Sequence, residues 1–194
     1  METRRAILRV ALDSFSKRGY ALTTFNDIAR RIHLTKGAIF WHFKSKEDLL
    51  AALILHMQES YDPLKALEQA ETLEAIKETF LAWADVLATN SLHRQFMQFV
   101  MSRVEWSEAL TAKLRKKLDN LVVSDPGERL VVCLDRLKAS GAVVSPLTSE
   151  QLASLLCACF FGVHRAIYLH KKTFDLRPTL EAGLEFILEG IRSK

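Results

Sequence analysis

Cysteine is scarce: Cys133, Cys157 and Cys159 are the only three in 194 residues. An odd, sparse set of thiols excludes a disulfide framework, and with no apolar leader after Met1 a reducing cytoplasm is the expected setting. Long apolar runs are also missing. The longest candidate, Leu152–Val163, is broken by Ser154 and followed by His164 and Arg165, short of the roughly 20 residues a membrane span needs, so a soluble protein is expected. No stretch alternates apolar and polar residues in the manner of a strand, and there is no internal repeat or low-complexity segment.

Catalytic signatures are absent as well. The sequence has no glycine-rich phosphate loop, nucleophile elbow or zinc-protease motif, so no enzyme and no cofactor is expected. Cys157 and Cys159 stand two apart on a predicted helix and point in different directions, a poor start for a metal site. Of the six histidines, His33, His42, His56, His93, His164 and His170, only the last two lie near each other, without an acidic neighbour. A metal sensor assembled from separated helices stays open as an alternative.

What is present is apolar residue at helical spacing and an uneven charge. Hydrophobic residues make up 49% of the chain, ample for a buried core. The net charge of +4 is unevenly spread: residues 1–56 hold ten Lys/Arg against five Asp/Glu, the remainder seventeen against eighteen. The basic excess thus lies in the first third, either as a solvated helix face or as a polyanion-binding head on a neutral body.

The expected fold is all-α. A first helix, about Thr3–Arg18, carries Ile7, Leu8, Ala11, Leu12 and Phe15 on one stripe and ends at Gly19. Thr24 with Asp27 caps a second helix, Thr35 a third that runs to about Phe43, and Ser45 with Asp48 a fourth. After Asp62-Pro63 the helices lengthen. One stripe is Leu73, Ile76, Phe80, Trp83, Ala84 and Leu87; the next is Phe96, Met97, Val100, Met101 and Val104. A helix around Ala109–Val122 is interrupted at Asp125-Pro126-Gly127-Glu128, and the restarted helix stops at Gly141. Thr148 and Gln151 open a helix to about Lys171, and a last one, after Arg177-Pro178, carries Leu180, Leu184, Ile187, Leu188 and Ile191.

Residues 24–46 hold two short amphipathic helices joined by a tight turn, the helix-turn-helix pattern. The second helix can enter a major groove only if its first residues are small or able to bond base edges, as Thr35, Lys36, Gly37 and Ala38 are. Its inner face packs through Ile39 and Phe43, and Ala29 lets the two backbones approach.

The string Gly37-Ala38-Ile39-Phe40-Trp41-His42-Phe43-Lys44-Ser45-Lys46-Glu47-Asp48-Leu49, preceded by Thr24 and by Ile28-Ala29, resembles the signature of tetracycline-repressor-type (TetR/AcrR) regulators. The resemblance implies that Thr35, Lys36, Gly37 and Ala38 face bases, that Trp41 touches the groove wall, and that His42 and Lys46 hold phosphates. It also implies a backbone contact from Thr24 at its helix N-terminus. Two positions depart from the family pattern. Phe40 stands where tyrosine is usual and lacks the hydroxyl for a phosphate, though it belongs to the same DNA-facing set. His33 stands where glycine is usual, and histidine tolerates positive φ better than most residues.

The expected organisation is a three-helix DNA-binding head, residues 1–56, and a larger helical ligand-binding and dimerisation body, residues 57–194. The resemblance implies a homodimer in which the last two helices pair with those of a second copy through Leu155, Cys159, Gly162, Val163, Leu184, Ile187, Leu188 and Ile191, with Gly162, Gly183 and Gly190 allowing close approach. One short recognition helix reads few bases, so a dimer on a near-palindromic operator follows. The stripe Phe80, Trp83, Phe96, Met97, Val100, Met101 and Trp106 reads either as closed core or as the lining of an adaptable ligand site. The resemblance favours a cavity for a mostly apolar small molecule that releases the repressor from DNA. The alternative is a ligand-independent DNA-binding protein or protein-partner adaptor.

Overall fold

The computed structural model describes residues 2–118, 126–170 and 175–191. Ten α-helices follow one another: α1 (Glu2–Arg18), α2 (Phe25–Arg31), α3 (Lys36–His42), α4 (Lys46–Ser60), α5 (Leu73–Thr89), α6 (Ser91–Ser102), α7 (Glu108–Leu118), α8 (Pro126–Ala139), α9 (Ser149–His170) and α10 (Leu176–Ile191), with a 3-10 helix, Pro63–Gln69, before α5. No strand occurs among the described residues. The fold is all-α, as the periodicity requires.

Local chemistry sets most helix ends. Gly19, φ +87°, and Gly141, φ +77°, take the left-handed conformation that glycine adopts without steric cost after α1 and α8. The hydroxyls of Thr24, Thr35, Ser45 and Thr72 each accept the backbone N–H three residues on. Asp62 caps the 3-10 helix by accepting from Leu64 N at 3.1 Å, with Pro63 in the first position, where no N–H is needed. The sequence pattern gives no sign of that element. Thr148 and Gln151 form the expected reciprocal pair, Thr148 N donating to Gln151 Oε1 at 2.9 Å. The last helix begins at Leu176, ahead of the expected start, because Pro178 sits within the first turn and its missing N–H has no intrahelical acceptor to lose. The expected cap at Asp125 and the stretch to Val122 lie outside the described residues.

Two compact units result, residues 1–61 with 91–123, and residues 62–90 with 124–194. This differs from a contiguous division at residue 56, since α6 and α7 pack with the N-terminal helices. In the first unit Ile7, Leu8, Leu12 and Phe15 of α1 are fully buried, and Phe15 stacks on Phe99 of α6 with ring centroids 5.4 Å apart. Phe96 and Val100 pack against this same core. In the second unit Trp83 stacks on Phe160 at 4.2 Å with Phe161 edge-on at 5.9 Å, and Phe80 lies 5.5 Å from Phe160. Arg129 binds the Asp62 carboxylate at 2.7 Å, and Arg136 donates to the carbonyls of Leu67, Glu68 and Ala70, satisfying the open end of the 3-10 helix.

The face of α10 is the main departure from expectation. Leu184, Leu188 and Ile191, expected at a subunit seam, are buried within this one subunit, while Phe186 is 80% exposed. Cys159, expected at the same seam, faces Gly183 of α10: a Cβ on Gly183 would lie 2.8 Å from the Cys159 Sγ. The close approach that Gly183 permits is therefore between α9 and α10 of the same chain. Leu155 is 45% exposed, and Gly162 and Gly190 have open space where a Cβ would stand; Val163 and Ile187 are half-buried. An open groove of about 540 Å³, lined in part by Ser154, Leu155 and Ala158, runs along the outer face of α9.

One expectation about membranes also changes. By length and composition Ser149–Tyr168 is apolar enough to cross a bilayer, with a mean hydropathy of 1.2 over 20 residues, and 28% of that window is buried. Ser154 and His164 are too few to lower its average.

His164, on the same helix, is buried, and its Nε2 has no hydrogen-bond partner. Burial holds its imidazole below the ordinary value near 6.5, so the folded state keeps it neutral. As pH falls below about 6.5 the unfolded chain takes up a proton that the folded chain refuses, and stability is lost; above that pH the contribution is fully present. His164→Leu is expected to stabilise the protein by about 1 kcal/mol at neutral pH and to flatten the acid limb. Thermal unfolding at pH 7.5 and pH 5.5 checks this; an unchanged acid limb would assign the loss to other groups.

Candidate nucleic-acid interface

The geometry of α2 and α3 is set by three local devices. First, Thr24 N donates to Asp27 Oδ2 at 2.9 Å while Asp27 N donates to the Thr24 hydroxyl at 3.2 Å, a reciprocal cap. Bonds from the Thr24 hydroxyl and N–H hold the Asp27 carboxyl down to about 2. The polar groups of Thr24 are thus engaged by Asp27, which fixes the N-terminus of α2 where the backbone contact is expected. Second, the N–H groups of Ile32 and Leu34 both donate to the Ala29 carbonyl, at 3.2 and 2.9 Å, and His33 between them takes φ +54°. Histidine adopts the left-handed turn usually given to glycine, as expected, and closes α2 with a Schellman-type bond. Third, the Thr35 hydroxyl accepts from Ala38 N at 3.1 Å and starts α3.

These devices rotate α3 so that Ile39 is fully buried and Phe43 nearly so, while Thr35, Lys36, Gly37, Phe40 and Trp41 face outward and Ala38 and His42 are half-buried. Trp41 is 76% exposed, an unusual cost for an indole, and its ring meets His42 edge-on at 4.7 Å. Phe40 packs edge-on against Phe25 at 5.0 Å, and the Lys36 ammonium sits 5.4 Å from the Phe40 ring. Phe40 thereby joins the two helices and positions a cation, work that needs no hydroxyl.

Lys46, expected at a phosphate, makes contacts within the protein. Its ammonium donates to the carbonyls of Tyr20, Ala21 and Thr23, at 2.8, 2.9 and 3.4 Å, and lies 4.5 Å from the Tyr20 ring. All three protons are engaged inside the protein, so Lys46 ties the α1–α2 connection to the start of α4. Burial pulls its pKa down. Lys46→Met is expected to destabilise the first unit by about 2 kcal/mol, the net worth of a charged hydrogen-bond set partly open to water. The salt dependence of DNA binding should be unchanged; a lowered salt dependence at an unchanged melting temperature would return the ammonium to a phosphate.

The acidic residues that open α4 have distant partners on α7. Glu47 pairs with Lys113 at 2.9 Å, and Asp48 pairs with Lys117. Bonds from Lys113 hold the Glu47 carboxyl below its usual value.

An outward α3 anchored by Ile39 and Phe43, entered through a left-handed turn, is the arrangement that a helix-turn-helix needs. Residues 7–53 match bacterial regulatory proteins of the tetR family. The N-terminal segment thus carries the tetR-type pattern. Over 98% of its length it is 27% identical to the HTH-type transcriptional regulator TtgR of Pseudomonas putida, covering 92% of that protein. Among solved structures it is similar to NalD, the secondary repressor of the MexAB-OprM multidrug efflux pump in Pseudomonas aeruginosa, at 24% identity and a TM-score of 0.79, covering 100% of this chain and 98% of that one. It is also similar to SmeT, the repressor of the Stenotrophomonas maltophilia multidrug efflux pump SmeDEF, in a complex with triclosan, at 23% identity and a TM-score of 0.77 over 97% of this chain and 91% of that one. These two structures show the shared fold. A tetR-type match over residues 7–53 and full-length likeness to HTH-type transcriptional regulators together indicate a transcriptional regulator with a helix-turn-helix.

The expected ligand residues are divided between the two units. Phe80 and Trp83 belong to the second unit, packed with Phe160 and Phe161, whereas Phe96, Met97, Val100, Met101 and Trp106 belong to the first. Trp106 is half-exposed, its indole donating to the Val100 carbonyl at 2.9 Å. The chain passes from one unit to the other between Asn90 and Ser91.

Proposed function

We propose that the chain is a homodimeric repressor that reads a near-palindromic operator with α3 and is released by a mostly apolar small molecule bound in the second unit. The observation that carries the DNA-reading half is the outward set Thr35, Lys36, Gly37 and Trp41 on a helix held from behind by Ile39 and Phe43. Residues 1–56 supply this surface. Thr35 and Lys36 offer donors to base edges, Gly37 and Ala38 allow close approach, and Trp41 and His42 flank them.

A homodimer is supported by apolar surface that one subunit leaves open. Leu155, Gly162 and the prominent Phe186 are exposed on α9 and α10, and the groove beside Leu155 continues that face. Exposed apolar area of this kind marks an interface, and a two-fold pairing doubles the bases read.

Ligand binding is supported by the aromatic group Phe80, Trp83, Phe160 and Phe161, and by the unpartnered Nε2 of the buried His164 one turn beyond Phe160. A hydroxyl or carbonyl on an otherwise apolar ligand supplies the bond that this nitrogen lacks. The triclosan complex of SmeT supports a ligand of that character. A ligand acts only through unequal affinity for the DNA-competent and incompetent states, and about 1–3 kcal/mol of coupling changes operator affinity 5- to 150-fold.

The test is selection of a duplex from a random pool by the purified protein, followed by titration with triclosan while tryptophan fluorescence and retained DNA are read together. Quenching in step with release is expected. DNA retained throughout, with fluorescence unmoved across a panel of apolar phenols, would replace this reading with the ligand-independent one.

A further inference from the structure

The ten cations of residues 1–56 divide into two groups by their partners. Lys17 and Arg31 pair with Asp13 at 2.9 and 2.5 Å, and Arg18 and Arg30 pair with Asp27 at 2.9 and 3.1 Å. Lys46 is taken up by carbonyls. Among the described residues, Arg4, Arg5, Arg9, Lys36 and Lys44 have no ion pair, and all five are exposed. Acidic partners are available in this unit, yet Asp13, Asp27, Glu47 and Asp48 are all engaged by other cations. The one remaining acid of the segment, Glu2, is outnumbered by the free arginines of its own helix.

The free cations have a definite position. The Arg4 guanidinium lies 5.4 Å from the Phe43 ring, so the start of α1 stands beside the end of α3, with His42 and Lys44 on either side of Phe43. Arg4, Arg5 and Lys44 therefore border the base-reading face on the side away from Thr35, where Lys36 sits.

We propose that Arg4, Arg5 and Lys44 form a row of phosphate contacts beside the recognition helix, with duplex DNA as the occupant. The proposal rests on the DNA-binding reading above and gives a role to three cations that the reading of the signature left without one. Unpaired exposed cations keep their counterions until a phosphate displaces them, so each contact adds about 0.9 to the slope of log affinity against log salt. These contacts hold the backbone in register without reading sequence.

The experiment uses the full-length protein and a short duplex selected by it from a random pool. In the homodimer Arg4→Gln/Arg5→Gln and Arg5→Gln/Lys44→Gln each remove four contacts and should each lower the salt slope by about 3.6, which makes the fall in affinity between about 50 and 200 mM salt roughly 100-fold smaller. Preference among base-substituted duplexes should stay as in the parent. The second double variant leaves the Arg4–Phe43 contact intact, so a folding defect at Arg4 does not obscure the result. Arg30→Gln, removing a cation that is already paired, should leave the slope unchanged. A parent-like slope in Arg5→Gln/Lys44→Gln, or an equal loss in Arg30→Gln, overturns the proposal while duplex binding by the parent still stands. A parent that retains no duplex overturns the DNA-binding reading and this row together.

Discussion

Phe186→Glu is expected to yield a folded monomer, whereas Leu184→Glu is expected to yield a chain whose second unit does not fold. The two residues are neighbours on α10 and face opposite ways: Leu184 has no exposed surface and Phe186 is 80% exposed within one subunit. At Leu184 the substitution removes buried apolar contact worth about 2–5 kcal/mol and places a carboxylate in the core with no cation to meet it. The total exceeds about 5 kcal/mol, comparable with the whole stability of a typical domain. At Phe186 nothing inside the subunit is lost. If a second copy covers it, each ring contributes about 2–3 kcal/mol to association, and a glutamate there adds two desolvated carboxylates facing each other across the two-fold axis. Light scattering and circular dichroism on the two variants separate the outcomes. A Phe186→Glu protein that stays dimeric at micromolar concentration would move the seam elsewhere.

Gly37→Glu is expected to abolish duplex binding, by at least about 100-fold, while leaving the fold as stable as before or more so. The nearest atom to a Cβ at Gly37 is the Thr35 Oγ1 at 3.7 Å, ordinary contact, so nothing in the free protein forbids a side chain. Replacing a helical glycine recovers up to about 1 kcal/mol of propensity, and a carboxylate in the first turn of α3 meets the favourable end of the helix dipole. The glycine therefore gives no stability that a larger residue would not also give. Bulk and negative charge placed where a groove and its phosphates approach cost several kcal/mol of binding. A gel shift paired with a melting curve tests both halves. Unimpaired binding by Gly37→Glu would mean that α3 does not enter a groove at this end.

Helix content and helix ends were legible in the residues because their causes are local. A hydroxyl three residues ahead of an amide, as in Thr35 to Ala38, and a left-handed residue after a helix, as at Gly19 and His33, depend on neighbours within one turn. The outward and inward faces of α3 were legible for the same reason: Ile39 and Phe43, four apart, must lie together, and what remains must face away. Thr35, Lys36, Gly37, Phe40 and Trp41 therefore lie on the outward side of α3, as the pattern requires.

The partners of long side chains were not legible. Lys46 meets the carbonyls of Tyr20, Ala21 and Thr23 only because α4 returns beside the α1–α2 connection, and a charge count cannot tell a cation so engaged from one that is free, such as Arg5. The same limit hid the pairing of Glu47 and Asp48 with α7.

The sequence by itself determined the all-helical class, most of the caps, the tight turn at His33 and the outward face of α3, since each follows from spacing of a few residues along one helix. Only the tertiary structure decided that α6 packs with α1, that Leu184 and Leu188 are core while Phe186 is surface, and that Gly183 makes room for Cys159 of the same chain. Periodicity fixes which side chains share a stripe, but burial is a property of what covers the stripe. On α10 apolar residues occur on more than one face, so which one turned inward depended on α9 beside it and on α5, which is far away in sequence and joined to it only by folding.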